Sequence, residues 1–282
     1  MNDQSKPPVF SFELVPPKTE KGLENLKTNV QQLQGLNPVF FSVTYGAGGS
    51  TQQRTFDTVD WLVEQNIDTA PHLSCIGVDQ NEILELLDRY KAQGINRLVA
   101  LRGDLPSGTG LGGLGELNHA NQLVALIRQH FADYFHIEVA AYPEFHPQAA
   151  SPQQDLQHFK LKVDAGADSA ITQYFYNADA YFRFLDECQK LAIEIPIVPG
   201  VMPITNFTQL ARFSDSCGAE IPRWLRKRLE SYGEDLESIR SYGIEVVTAL
   251  CERLLAGGAP GLHFYTMNRS AQCQQIWQSL GL

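Results

Sequence analysis

The sequence predicts an α/β protein, a single (β/α)8 TIM barrel with extra helices before the last strand. Three observations carry this reading. Eight apolar runs alternate with segments of helical period. Each run stops at polar or charged groups. No linker or low-complexity segment divides residues 1–282 into smaller domains, so one domain is expected. Alternating units imply parallel strands with crossover helices, and eight of them within about 250 residues match a closed barrel. An open doubly wound sheet is the structural alternative.

The first strand is VFSFELVPPK, 9–18, with Glu13 among Phe10, Phe12, Leu14 and Val15. Leu23, Leu26, Val30 and Leu33 follow at helical spacing, and Gly35 stops that helix. Strand two is 38–49. Ser50 and Gln53 form a capping box for a helix carrying Phe56, Val59 and Val63. Strand three is 69–77, and Asp79 with Glu82 caps a helix with Ile83, Leu86, Leu87 and Tyr90 that ends at Gly94. Strand four is NRLVALRGDLP, 96–106. Its apolar run Leu98–Leu101 ends in Arg102 and Asp104, charges that are costly at a core edge unless paired or liganded.

A Gly-rich loop then leads to a helix with Val124, Ile127 and Phe131. Strand five is 136–144, and Ser151-Pro152 caps a helix lined by Leu156, Phe159 and Val163. Strand six, 169–176, precedes a helix with Phe184, Cys188 and Leu191. Strand seven is 195–204. A longer helical region runs through Phe213, Trp224, Leu236, Ile239, Val247 and Leu254. Strand eight is 261–268, and a last helix ends the chain.

Composition narrows the function. The net charge is −10, which disfavours nucleic acid and anionic membrane surfaces as partners. The basic run 223–230 reads as a solvated helix face. Five cysteines, with no CxxC pair, read as reduced thiols in a cytoplasmic protein without a zinc framework. The N-terminus is short and polar, unlike a targeting peptide. No apolar run approaches the ~20 residues of a membrane helix.

Barrel active sites sit at the C-terminal strand ends. Those ends carry Glu13, Thr44 and Tyr45, His72, Arg102 and Asp104, Tyr142 with Glu144 and His146, Gln173, and Arg269. Each has a structural alternative. Glu13 would pair with a helix. Thr44, Tyr45 and His72 would satisfy turns. Arg102 would pair with Asp104, and Gln173 with a neighbouring strand. Prolines 143 and 147 would simply stiffen a loop. The joint occurrence of these groups at one end is the stronger signal. Gly110, Gly112 and Gly115 spell GxGxxG, and Glu138 lies near where a dinucleotide fold places its ribose acid. Residues 104–107 intervene between strand and glycines, so the turn is not tight, and a loop over the barrel mouth is the better reading.

The blocks SFELVPPK, FFSVTYGAGG, APHLSCIG, LVALRGDLP, AAYPEFHP, DAGADSAITQYFY, IVPGVMPI and LHFYTMNR, in that order, resemble the methylenetetrahydrofolate reductases. The likeness covers roughly residues 9–280 and matches the short bacterial form, the barrel alone. It implies noncovalent FAD, reduced by NADH or NADPH, and reduction of 5,10-methylenetetrahydrofolate to 5-methyltetrahydrofolate by ping-pong exchange. One-carbon metabolism and methionine biosynthesis follow, and a homo-oligomer is expected.

The resemblance assigns Glu13 as general acid and places Asp104 near the flavin ring and pterin, with Thr44 near flavin N5. It assigns FAD contacts to Thr44, Tyr45, Ala47, His72, Arg102, Gly103, Asp104, His119, Ala120, Tyr142, His146, Asp155, His158 and Lys162. Substrate contacts fall to Thr44, Asp104, Gln173, Gln209, Phe213 and Arg269, with Phe213 also stacking on NADH. The Gly-rich loop 107–115 and the helix face of His158 and Leu161 depart from the family pattern. Glu13 among apolar neighbours is placed for a raised pKa, as an acid working at neutral pH needs. A different flavin barrel, such as a proline dehydrogenase-like enzyme, and a non-redox folate-binding protein are the functional alternatives.

Overall fold

The computed structural model describes residues 8–45, 50–103 and 116–282. Strands β1 (Val9–Leu14), β2 (Phe40–Val43), β3 (Thr69–Ser74), β4 (Arg97–Leu101), β5 (His136–Ala141) and β6 (Ser169–Thr172) are each followed by a helix. These helices are α1 (Glu20–Gln34), α2 (Ser50–Glu64), α3 (Gln80–Ala92), α4 (Ala120–Phe131), α5 (Pro152–Asp164) and α6 (Ala178–Lys190). Then come β7 (Ile197–Val198), β8 (Gly200–Val201), α7 (Phe207–Cys217), α8 (Arg223–Ser231), α9 (Leu236–Ala256), β9 (Gly261–Tyr265) and α10 (Ser270–Ser279). Every strand pairing is parallel, and the order is β7-β6-β5-β4-β3-β2-β1-β9-β8.

The ends of that order, β7 and β8, are separated by Pro199 alone, so the sheet closes. The predicted seventh strand is therefore two short pieces of one stave. Proline has no N–H to donate, and the stave changes partners there, from β6 before it to β9 after it. The Pro199 carbonyl still accepts from the His263 N–H at 3.0 Å. Gly200 is required at the closure: a Cβ there would meet the Thr172 carbonyl at 2.1 Å and the Tyr265 ring at 2.6 Å. Its N–H donates to Thr172 Oγ1 at 2.9 Å.

Strand alternation sorts the side chains into two sets. Phe10, Phe12, Leu14, Phe41, Val43, Leu98, Ala100, Ile137, Val139 and Phe264 belong to the main core with the helices. Phe10, for example, meets the α10 residue Trp277 edge-on, with centroids 4.4 Å apart. The alternate positions fill the lumen. They form a small apolar cluster of Phe40, Ala70, Val99 and Ile171, and a set of buried polar groups: Ser11, Ser42, His72, Glu138, Ser169 and His263. The lumen is thus far more polar than the continuous apolar runs of the sequence suggest.

Several expectations need correction. The strands are shorter than predicted because their polar and proline-containing ends are loops; β1 stops at Leu14, before Pro16 and Pro17. The long helical region is three helices, and Trp224 and Leu236 on it are exposed rather than core. On α8, the basic run, Leu225 and Leu229 turn inward, so the charges do face water. The Ser50–Gln53 capping box falls on a Ser50 side chain outside the described residues; Gln53 itself donates to Asp57 at 2.8 Å. Asp79, Ser151 and Asn177 do cap their helices, each accepting a first-turn backbone N–H. The Gly-rich loop 107–115, Ala47 and Asp104 lie outside the described residues. Glu138 is enclosed by Arg97, His136 and Ser169 inside the barrel, which is no place for a ribose.

Candidate active site

At the C-terminal end of the lumen is a cavity of about 310 Å³. Glu13, the last lumen-facing residue of β1, forms part of its wall with His72, Gln173, Tyr174, Phe213 and Tyr265. Burial pushes the Glu13 carboxyl up to about 8. His72 Nε2 lies 3.5 Å from Glu13 Oε2. An ion pair would lower the carboxyl and raise the imidazole. Here burial holds His72 down at about 3, with the neighbouring His263 adding to the effect. Both groups are therefore neutral near pH 7, and the contact is not a salt bridge. His72 Nε2 is buried without a hydrogen-bond partner among the described residues, a polar atom facing a space that a polar ligand would satisfy.

Among the described residues the Gln173 side chain bonds to no neighbouring strand. Its Oε1 accepts the adjacent Tyr174 N–H at 3.0 Å. The Tyr265 hydroxyl donates to the Thr172 carbonyl at 2.7 Å. Glu144, whose carboxyl burial raises, is occupied in tying two loops: it accepts the Glu220 N–H at 2.7 Å. Tyr174, Cys217, Met202, Met267, His263 and Tyr265 also line the cavity and were missed in the sequence. For Tyr265 the alternation His263–Tyr265 on the last strand was the available signal.

A second group of sequence candidates runs along the ends of β4 and β5 and onto α4 and α5. Arg102 Nη2 donates to Gln148 Oε1 at 2.6 Å; the expected pairing with Asp104 falls outside the described residues. Gly103 has φ +89° and lies against Ser74, so close that a Cβ would meet Ser74 Oγ at 1.8 Å. His119 caps α4 just before Ala120, and its N–H donates to Gln122 Oε1 at 3.0 Å. The His119 and His158 rings stack with centroids 6.5 Å apart. Tyr142 meets His146 edge-on at 4.7 Å. Asp155 Oδ2 accepts the His146 N–H at 2.9 Å, so it shapes this loop directly. Lys162 donates to the Ala140 carbonyl at 2.5 Å, and burial pulls its ammonium down to about 8 against the opposing charge of Asp155.

This set of imidazole, guanidinium and ammonium donors fits a ligand carrying phosphates and a flat ring system. Thr44 and Tyr45 follow β2: the Thr44 carbonyl accepts from Thr55 at 3.0 Å, and the Tyr45 hydroxyl accepts from Gln52 at 2.5 Å. Neither lines the Glu13 cavity.

The predicted substrate residues divide. Gln173 and Phe213 line the Glu13 cavity, whereas Gln209 and Arg269 line a separate cleft of about 460 Å³ at the start of α7. Arg212 and Arg240 belong to that cleft and were not singled out in the sequence. No group of three or more His, Cys, Asp or Glu among the described residues is arranged to hold a metal ion.

The family described as methylenetetrahydrofolate reductase matches residues 1–281. The 5,10-methylenetetrahydrofolate reductase of Salmonella typhimurium is 39% identical over 273 residues, covering 96% of this chain and 90% of that protein. The Escherichia coli protein of the same name is 38% identical over the same span. A probable methylenetetrahydrofolate reductase (NADH) of Oryza sativa is 40% identical over 288 residues, 97% of this chain but 48% of the longer rice protein. A Clostridium thermocellum protein of solved structure, described as binding two copies of 5-methyl-5,6,7,8-tetrahydrofolic acid, shares the fold: TM-score 0.69 and 19% identity, over 97% of this chain and 93% of that one. By the family match over its length and by these relatives, the chain belongs to the methylenetetrahydrofolate reductase family.

Proposed function

We propose that the chain reduces 5,10-methylenetetrahydrofolate to 5-methyltetrahydrofolate, with NADH or NADPH as electron donor and noncovalent FAD as the carrier between them. The observation that carries this is Glu13: a carboxyl at the mouth of the lumen, pushed up to about 8 by burial, beside a neutral histidine. Flavin, when bound, supplies the two-electron chemistry, accepting reducing equivalents from the nicotinamide and passing them to folate. The protein supplies the proton and the orientation.

Reduction at the methylene carbon requires the folate's five-membered ring to open, and N10 must then leave as a neutral amine. That departure needs a proton. Glu13 holds one at neutral pH, and its Oε is the donor in this reading. Asp104, assigned from the resemblance, would supply the negative charge that favours the cationic iminium left behind. Arg102, Gly103, His119, Ala120, Tyr142, His146, Asp155, His158 and Lys162 would hold the FAD phosphates, ribityl chain and adenosine, with Thr44, Tyr45, Ala47 and His72 toward its ring. Gln173 and Phe213 wall the one cavity beside Glu13, so folate and nicotinamide would use it in turn, giving ping-pong kinetics.

Among the described residues no helix is long and apolar enough to cross a membrane, and all five cysteines are free, as a cytoplasmic location would require. The purified protein should be yellow, release FAD on denaturation, be bleached anaerobically by NADH or NADPH, and recover its colour with methylenetetrahydrofolate. A folded protein that is colourless and takes up no FAD refutes the reading. Bleaching without recovery by folate points instead to another flavin dehydrogenase.

A further inference from the structure

We propose that the N-terminal end of the barrel is a second ligand site, shaped for a planar, uncharged heteroaromatic molecule that presents a carbonyl beside an N–H. A cavity of about 650 Å³ opens there, about twice the 310 Å³ of the Glu13 cavity at the other end. That lies within the roughly 300–1,000 Å³ of small-molecule sites. Barrel interiors are ordinarily filled by layers of bulky side chains. Here the small residues Ser11, Ser169, Ala256, Gly258 and Ala259 line the space instead. Phe10, Phe40, Val198 and Leu255 give it apolar walls. One layer of side chains separates the two cavities: Ile171 lines both, with Phe40 on the N-terminal side and Val99 on the Glu13 side. None of these residues belongs to the folate or flavin contacts proposed above.

The polar floor of the cavity sets the chemistry. Arg97 and His136 face each other across β4 and β5, and both reach Glu138 Oε1, at 2.5 Å and 3.3 Å. Burial would raise the Glu138 carboxyl, but His136, Arg97 and Ser169 hold it low, so it is an anion that only accepts. Ser169 Oγ gives its one hydrogen to Glu138 Oε2. It must therefore accept from His136 Nε2, 2.6 Å away. With Nε2 protonated, Nδ1 of a neutral imidazole is an acceptor, and among the described residues it has no partner. Arg97 donates to Glu138 and keeps most of its five donors open. A donor and an acceptor thus stand on neighbouring strands, on two residues that line one cavity. The matching ligand edge is a carbonyl next to an N–H, as in a lactam. The Arg97 charge is balanced by Glu138, so the floor favours neither a polyanion nor a cation. The Arg97 guanidinium also lies over the Phe40 ring, 4.7 Å from its centre, and flat faces of this kind suit a flat ring system.

The test is calorimetry on the flavin-loaded protein with three probes of similar shape: 2-quinolone, N-methyl-2-quinolone and quinoline-2-carboxylate. 2-Quinolone should bind saturably and about fivefold more tightly than its N-methyl derivative, the equivalent of one hydrogen bond. That preference should vanish in H136F, while bleaching of the flavin by NADH or NADPH stays at the parental rate. A crystal of the complex should place 2-quinolone between Phe40 and Leu255, with its carbonyl toward Arg97. The proposal falls if 2-quinolone shows no saturable binding at millimolar concentration, or if quinoline-2-carboxylate binds more tightly. It falls if the preference survives H136F, or if the crystal places the probe over the flavin. A cavity filled by a second copy of the chain, or by the chain's own first residues, overturns it equally. If H136F does not fold, the probe series on the parent protein and the position in the crystal decide the matter.

Discussion

Glu13 and Glu138 lie in the same lumen, one toward each end, and their surroundings treat a negative charge in opposite ways. Glu138 is 3% exposed. Burial alone would raise its pKa, but His136, Arg97 and Ser169 outweigh it and hold the carboxyl below its usual range. Arg97 Nη1 donates to Oε1 at 2.5 Å, Ser169 Oγ donates to Oε2 at 2.5 Å, and His136 Nε2 lies 3.3 Å from Oε1. Glu13 makes no side-chain hydrogen bond among the described residues and faces a histidine that is itself neutral. One end of the barrel stabilises an ion, and the other keeps an acid protonated. Burial is common to both, so partners decide the outcome. A satisfied buried charge is structural, whereas a carboxyl left unpaired beside a cavity is a candidate proton donor.

The largest way to break this comparison is Glu13→Gln. The substitution removes the proton but keeps the shape of the neutral acid. Recovery of flavin colour by methylenetetrahydrofolate should slow by about 10²–10⁴-fold, the usual contribution of a general acid. Bleaching by NADH or NADPH should stay within a few-fold of the parent. Anaerobic stopped-flow separates the two steps, and a near-parental folate step would move the acid elsewhere.

The second is Glu138→Gln, which should act on stability rather than chemistry. It leaves the partly buried Arg97 without its counter-charge, and breaking such a pair costs about 3 kcal/mol. A lower denaturant midpoint, with Glu13→Gln unchanged or higher, is the expected outcome. Equal losses in both variants would erase the distinction between the two ends.

The two carboxylates should also respond to pH with opposite sign. The folded Glu13 pKa, about 8, lies above the ordinary 4.5. Between those values the unfolded chain has released the proton that the folded one retains. Glu13 therefore costs stability progressively as pH rises from about 4.5 to about 8, and the cost levels off above that. Glu13→Gln should gain on the parent across this window. Glu138 has a lowered pKa, so its stabilisation is present above 4.5 and is lost as pH falls below it. Unfolding free energies of both variants and parent from about pH 2 to about pH 9, at matched cofactor content, test this. Parallel curves would refute it.

The smallest effect is expected from Tyr265→Phe. It removes a neutral hydrogen bond to the Thr172 carbonyl at 2.7 Å, worth about 1 kcal/mol. The midpoint should fall slightly and the pH profile should keep its shape. A change of shape would mean that the hydroxyl helps set the Glu13 titration.

What the sequence determined by itself is the succession of eight strand–helix units, the parallel barrel and the end at which polar groups gather. Hydrophobic period, helix caps and glycine stops are local signals, and they suffice for that. Glu13 was legible as a strand-end carboxyl among apolar neighbours, and its burial and raised pKa follow the same logic. Tertiary structure alone decided the rest. The stave broken at Pro199 depends on two different partners meeting at one residue. The polar lumen depends on which alternate positions of distant strands face each other: Ser11 meets His263 at 2.7 Å across 252 residues of chain. Side-chain partners across segments were not legible: Arg102 donates to Gln148 and Glu144 accepts from Glu220. The arginine cleft joins residues from α7, α9 and the start of α10, each unremarkable in its own segment. Pairing, burial and convergence are relations between segments, and periodicity within a segment carries no record of them.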